Sequence, residues 1–112
     1  MKPKPSPKPV ILRSAAEDDI SSATAHYLEE GSTNVALRLV RSLESCVETL
    51  SEQPEIGSPR FAHELDFPGL RTWPVDDFPY LIFYIELEDQ IQVWRVLHVR
   101  RDLAAWFSLA EE

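Results

Sequence analysis

At 112 residues, 44% of them hydrophobic and 10% aromatic, the chain suffices for one compact domain that buries roughly two-thirds of its unfolded surface, and it does not support a second. Nineteen acidic against eleven basic side chains set a formal net charge of −8, and the three lysines all lie in the first eight residues. Counterion release from nucleic acid needs several Lys or Arg aimed at phosphates, so this body is a poor general binder of DNA or RNA and a protein partner is the better expectation.

Residues 1–9, "MKPKPSPKP", alternate Pro with Lys and Ser. Fixed φ angles and missing N–H groups favour a flexible, solvated tail there. It has charges but no apolar run for a signal peptide, and nothing later approaches the ~18–20 apolar residues of a membrane span. Residues 10–112 are expected to form the single domain. It opens with a short β-like run, "VILR" (Val10 to Arg13).

"SAAE" (Ser14 to Glu17) has capping-box spacing and predicts a helix start. Ala16, Ile20, Ala23 and Tyr27 then make one apolar stripe that leaves Asp18, Asp19 and Glu29 mainly in water. Gly31 ends that helix. A second, from about Ser32 to Ser51, carries Ala36, Leu39, Val40, Leu43, Val47 and Leu50 on one face. The short break between them predicts an antiparallel helical hairpin. Cys46 is the one cysteine; it has no internal disulfide partner, turns inward as a small core side chain and suits a reduced, cytoplasmic setting.

"EQPEIGSPRFAHELDFPG" holds three prolines and two glycines and predicts a loop. Three strand candidates follow, Leu70 to Val75, Tyr80 to Leu87 and Ile91 to Val99. The middle one places Leu81, Phe83, Ile85 and Leu87 on one face and Tyr80, Ile82 and Tyr84 on the other, so it should be central in the sheet. Glu88, Asp89 and Gln90 suit a hairpin turn into the last strand. Asp102 can cap a closing helix whose Leu103, Trp106, Phe107 and Ala110 need a surface to dock on. The order β-α-α-β-β-β-α puts a helical hairpin on a small, mainly antiparallel sheet, an α+β fold.

Strict alternation on the last strand places Arg95 in an apolar row with Ile91, Val93, Leu97 and Val99, and a buried guanidinium is costly unless paired. Either it pairs with an acid such as Glu86 or Asp77, or it is reserved for a partner's carboxylate or phosphate. His98 has a titration range suited to acid–base work, or is a strand-end histidine bonded to a neighbour. Arg100 and Arg101 could form a forked anion site with Arg71, or be a solvated pair. Trp94 reads as core. For Trp106 and Phe107 both core docking and partner contact stay open. The scattered His26, His63 and His98 lack metal-ligand spacing, and no phosphate loop or nucleophile elbow occurs, so neither metal nor cofactor is expected.

Three elements together, Leu70-Arg71, the Phe78-Pro79-Tyr80 turn into "LIFY", and "RVLHVRRD" (Arg95 to Asp102), carry a resemblance. From about Val10 to Phe107 the sequence resembles the ParE branch of the RelE/ParE superfamily, plasmid-stabilisation toxins of type II toxin–antitoxin pairs. The resemblance implies a helical hairpin packed on a small antiparallel sheet. It further implies inhibition of DNA gyrase and neutralisation by a ParD-like antitoxin, in a hetero-oligomer, through a partly disordered segment that folds on binding. Arg71, Arg95, Arg100 and Arg101, with Trp106 and Phe107, are then the expected antitoxin or target contacts. The related RelE branch cleaves messenger RNA, which would give Arg71, Arg95 and His98 catalytic roles. The lysines that such sites use are absent from the folded body, which removes most of that electrostatic support. A module that has lost toxicity and only binds is the remaining alternative.

Overall fold

The β-branched and aromatic runs form one four-stranded sheet in a computed structural model that describes residues 7–101 and 103–108. The elements are β1 (Val10–Leu12), α1 (Ser14–Glu29), α2 (Thr33–Glu52), a 3₁₀ turn (Pro54–Ile56), α3 (Arg60–Glu64), β2 (Arg71–Pro74), β3 (Tyr80–Glu86), β4 (Ile91–His98) and α4 (Leu103–Ser108). Strand order is β1-β4-β3-β2, with β1 parallel to β4 and the other pairs antiparallel. The central placement of β3 follows from two apolar faces, as its sequence requires.

Helices α1 and α2 bury their stripes on one face. Ala16, Ala23, Leu39, Leu43, Cys46 and Leu50 meet Tyr80, Ile82, Tyr84, Val93 and Val96 in one cluster. A second cluster on the opposite face joins Phe61, Leu70, Phe83, Leu97 and Phe107, with Phe67 and Trp94 packed against it. Each large apolar side chain so buried contributes about 1.5–3 kcal/mol.

That second cover is where the loop expectation for residues 52–69 needs correction. The 3₁₀ turn and α3 interrupt the segment, and Phe61 and Leu70 are buried under the sheet. Breakers set the ends of these short turns; they do not keep the residues between them in water. A second correction concerns the capping box. Arg13 occupies the N-cap position of α1 without a side-chain cap, and Ser14 already lies inside the helix. The α2 start behaves as written, since Ser32 Oγ accepts from Val35 N–H at 3.2 Å. The cap expected of Asp102 lies outside the described residues.

The strict alternation on β4 is also corrected. Phe83 pairs with Arg95 but Tyr84 pairs with Val93, so Trp94 is the extra residue of a bulge. A bulge shifts the phase of every residue beyond it. Ile91, Val93 and Val96 therefore share the helix-covered core, while Trp94 and Leu97 belong to the other.

The tail expected over residues 1–9 has its first six outside the described residues, and contacts begin at Lys8. Its N–H donates to Ser51 O at 3.1 Å, its carbonyl accepts from Ser51 Oγ at 2.6 Å, and its Nζ reaches Glu86 Oε2 at 2.7 Å. Pro9 O accepts from Ile91 N–H at 2.9 Å. Among the described residues no helix is long and apolar enough to cross a membrane.

Candidate functional site

The parallel ladder of β1 on β4 stops at Leu12 and Val93, and Arg13 N–H closes it on Val93 O at 3.0 Å. Beyond that point α1 lies along β4 in place of a strand. Asp19, one turn past the α1 start, takes over the hydrogen bonding that a neighbouring strand would supply. Its Oδ2 accepts from Val96 N–H at 2.9 Å and from Arg95 Nε at 2.7 Å, and its Oδ1 accepts from Arg95 Nη2 at 2.6 Å. The two side chains are 12% and 6% exposed. A bidentate guanidinium–carboxylate fork with this burial needs further hydrogen bonds to offset desolvation, and here the strand N–H supplies one.

Arg95 is thus paired, as one of the two readings required, but the acid is Asp19 and neither Glu86 nor Asp77. Glu86 is held by Lys8, and Asp77 occupies a left-handed turn position with φ 64 between β2 and β3. The Asp19 side chain, expected mainly in water, is instead largely buried in the fold.

Above this pair a cleft of about 360 Å³ opens between α1 and the ends of β3 and β4. Asp19, Ser22 and His26 line it from one face of α1, as i, i+3 and i+7 spacing dictates. Tyr80, His98 and Arg101 line it from the sheet side. Tyr80 and His98 are cross-strand partners with rings 5.3 Å apart, edge to face. His98 Nδ1 accepts from Arg100 N–H at 3.1 Å; in the neutral ring the proton therefore sits on Nε2, a donor. Burial pushes the Tyr80 phenol above its ordinary range, the neighbouring Tyr27 adds to that, and the Arg101 charge opposes it.

Arg71 does not join Arg100 and Arg101, which corrects the forked anion site. It lies on β2 opposite Tyr84, whereas His98 lies opposite Tyr80, four positions or about 13 Å further along β3. Its Nη1 donates to Glu55 O at 3.1 Å and Gly57 O at 2.7 Å. Beneath it the Tyr84 hydroxyl donates to Pro54 O and accepts from Gly57 N–H, both at 2.8 Å. Arg71 and Tyr84 together moor the 3₁₀ turn to the sheet.

Phe107, offered above as a partner contact, is 1% exposed and packs against Phe67, Phe83 and Trp94. The core alternative holds, because α4 covers the sheet face left bare by the helical hairpin. The Trp106 side chain lies outside the described residues. Arg100 and Arg101 are exposed at the strand end. Asp19, Ser22, Tyr80 and Tyr84 were not singled out by their sequence positions. The buried Arg95 does announce an acid, but spacing cannot choose among nineteen.

A second opening, an apolar groove of about 300 Å³, lies between the two long helices over the sheet, with Ile20, Val40, Val47 and Val93 among its walls. Among the described residues no cluster of three His, Cys, Asp or Glu could hold a metal ion.

Residues 10–103 match a family model described as the ParE toxin of type II toxin–antitoxin system, parDE. No curated protein matches the chain. Among solved structures, one titled "Chromosomal ParDE TA system from P. aeruginosa" is similar with a TM-score of 0.69 and 20% identity, over 84% of this chain and 98% of that one. At that identity the likeness speaks to the fold.

Proposed function

Because this chain belongs to the ParE toxin family of type II toxin–antitoxin systems, we propose that it is the toxin of such a pair, inhibits DNA gyrase in the cytoplasm without enzymatic chemistry of its own, and is neutralised by a ParD-like antitoxin in a hetero-oligomer. The observation that carries this is the extent of the family match, which runs from the first residue of β1 to the first residue of α4. The antitoxin segment folds on binding, sets apolar side chains in the groove between α1 and α2, and meets the charges of Arg100 and Arg101. Trp106, in α4, remains a proposed contact.

The RNA-cleavage alternative has less support. Of its three residues, Arg95 is committed to Asp19 and Arg71 to backbone carbonyls. The test is a supercoiling assay, with purified toxin titrated into gyrase, ATP and relaxed plasmid and the antitoxin added in parallel. Inhibition or cleaved DNA, reversed by antitoxin, is the expected result; no effect at large molar excess overturns it. Growth without arrest upon expression lacking antitoxin would favour the inert binding module.

A further inference from the structure

The strand β1 is the last of the sheet on its side, and both its backbone and its side chains face outward there. Pro9 O accepts from Ile91 N–H and Arg13 N–H donates to Val93 O, so ladder alternation turns the N–H and C=O groups of Val10 and Leu12 away from β4, out of the sheet edge. Val10 and Leu12 pack their side chains against the helix-covered core, which places Ile11 and Arg13 on the opposite face. Ile11 is 46% exposed. The half-buried Arg13 lays its guanidinium over the Trp94 ring, 3.7 Å from the centroid, and among the described residues it has no ion pair. Stacking fixes the guanidinium plane and leaves its N–H edge to a planar anion. Trp94 itself holds a second unmet donor, since its Nε1 is buried without a hydrogen-bond partner among the described residues.

We propose that the outer edge of β1 is a docking site for an extended acidic segment of a partner protein, which pairs with the Val10 and Leu12 backbone and sets a carboxylate on Arg13. An exposed strand edge takes extended peptides through main-chain hydrogen bonds, while alternate side chains give specificity. Here the residue beside Arg13 is an acid, because one stacked guanidinium satisfies a carboxylate bidentately. The residue two positions from it is apolar and covers Ile11. Acidic partners also suit this edge because Lys8, Ile11 and Arg13 bring no carboxylate to it. The assignment rests on neither the gyrase nor the antitoxin reading, so a negative supercoiling assay leaves it standing.

The test is NMR titration of the full chain at constant ionic strength, following the Val10 and Leu12 amides and the Trp94 indole N–H. Two capped heptapeptides, Ser-Thr-Ile-Val-Glu-Thr-Ser and the same sequence reversed, cover parallel and antiparallel pairing. Their glutamine counterparts and sodium acetate are the controls. Saturable shifts confined to β1 and Trp94 are expected with one glutamate peptide, and its glutamine counterpart should bind roughly tenfold or more weakly, the scale of one charge-assisted hydrogen bond. Arg13→Gln should remove that difference, and Arg13→Lys, which keeps the charge without the planar fork, should restore only part of it. The Val96 amide, held by Asp19, reports that each variant stays folded. Equal binding of the glutamate and glutamine peptides, or shifts with acetate as large as with peptide, overturn the proposal. So does self-association in sedimentation that Arg13→Gln abolishes, since the occupant would then be a second copy of this chain.

Discussion

A Cβ added to Gly57 would fall on the Tyr84 hydroxyl and within 2.8 Å of the Thr72 carbonyl oxygen. Gly57 has φ −70, which any residue adopts, so its requirement is steric. Gly57→Ala is expected to lower stability by about 2–4 kcal/mol through overpacking and loss of the Tyr84 hydrogen bonds. Tyr84→Phe should cost about 1–3 kcal/mol by leaving the Gly57 N–H and Pro54 carbonyl unsatisfied. Urea denaturation measures both.

Asp19→Ala removes the carboxylate that accepts from both the buried Arg95 guanidinium and the Val96 N–H. A loss of about 3–5 kcal/mol is expected. Asp19→Ala combined with Arg95→Met should be less destabilised than Asp19→Ala alone, because the buried charge is gone. A double-mutant cycle in guanidinium chloride checks this; equal stability of the single and double variants would show that the pair carries no buried charge penalty.

Phe107→Ala opens a cavity between the sheet and α4. The expected loss is about 3–5 kcal/mol if α4 does not close the gap, read as a drop in thermal midpoint with a largely unchanged helical signal from α1 and α2. Were Phe107 a partner contact alone, the midpoint would stay put.

Stability should decline at alkaline pH. Burial pushes the Cys46 thiol and the Tyr80 and Tyr84 phenols up, so the folded chain holds these protons more tightly than the unfolded one. Stability is then full below the unfolded values of ~8.5 for Cys and ~10 for Tyr and falls as pH rises through them toward the folded values. Denaturation midpoints between pH 7 and 11 test the trend, and Cys46→Ala should postpone its onset. The same burial predicts that native Cys46 resists alkylation at pH 8 and reacts once unfolded.

Periodicity made the helical hairpin, the central β3 and the element order legible, because each rests on residues a few positions apart. Two kinds of information were not local. The bulge at Trp94 is a relationship between β3 and β4, and nothing in "QVWRV" marks where alternation slips. The choice of Asp19 for Arg95 depends on α1 lying along β4, a contact across 76 positions. Arg71 illustrates the same limit. Its type suggests an anion, yet its place beside Gly57 turns it toward carbonyl groups.

The pairing of the first strand with the last has a consequence for biosynthesis. Val10 can find Ile91 only once synthesis has reached β4, and Lys8, Asp19 and the apolar stripes of α1 and α2 likewise wait for β3 and β4. Contacts of such long range close slowly. A ribosome therefore carries this chain without a finished sheet until synthesis has passed His98, and any product terminated before β4 lacks both the partner of β1 and the floor of the cleft.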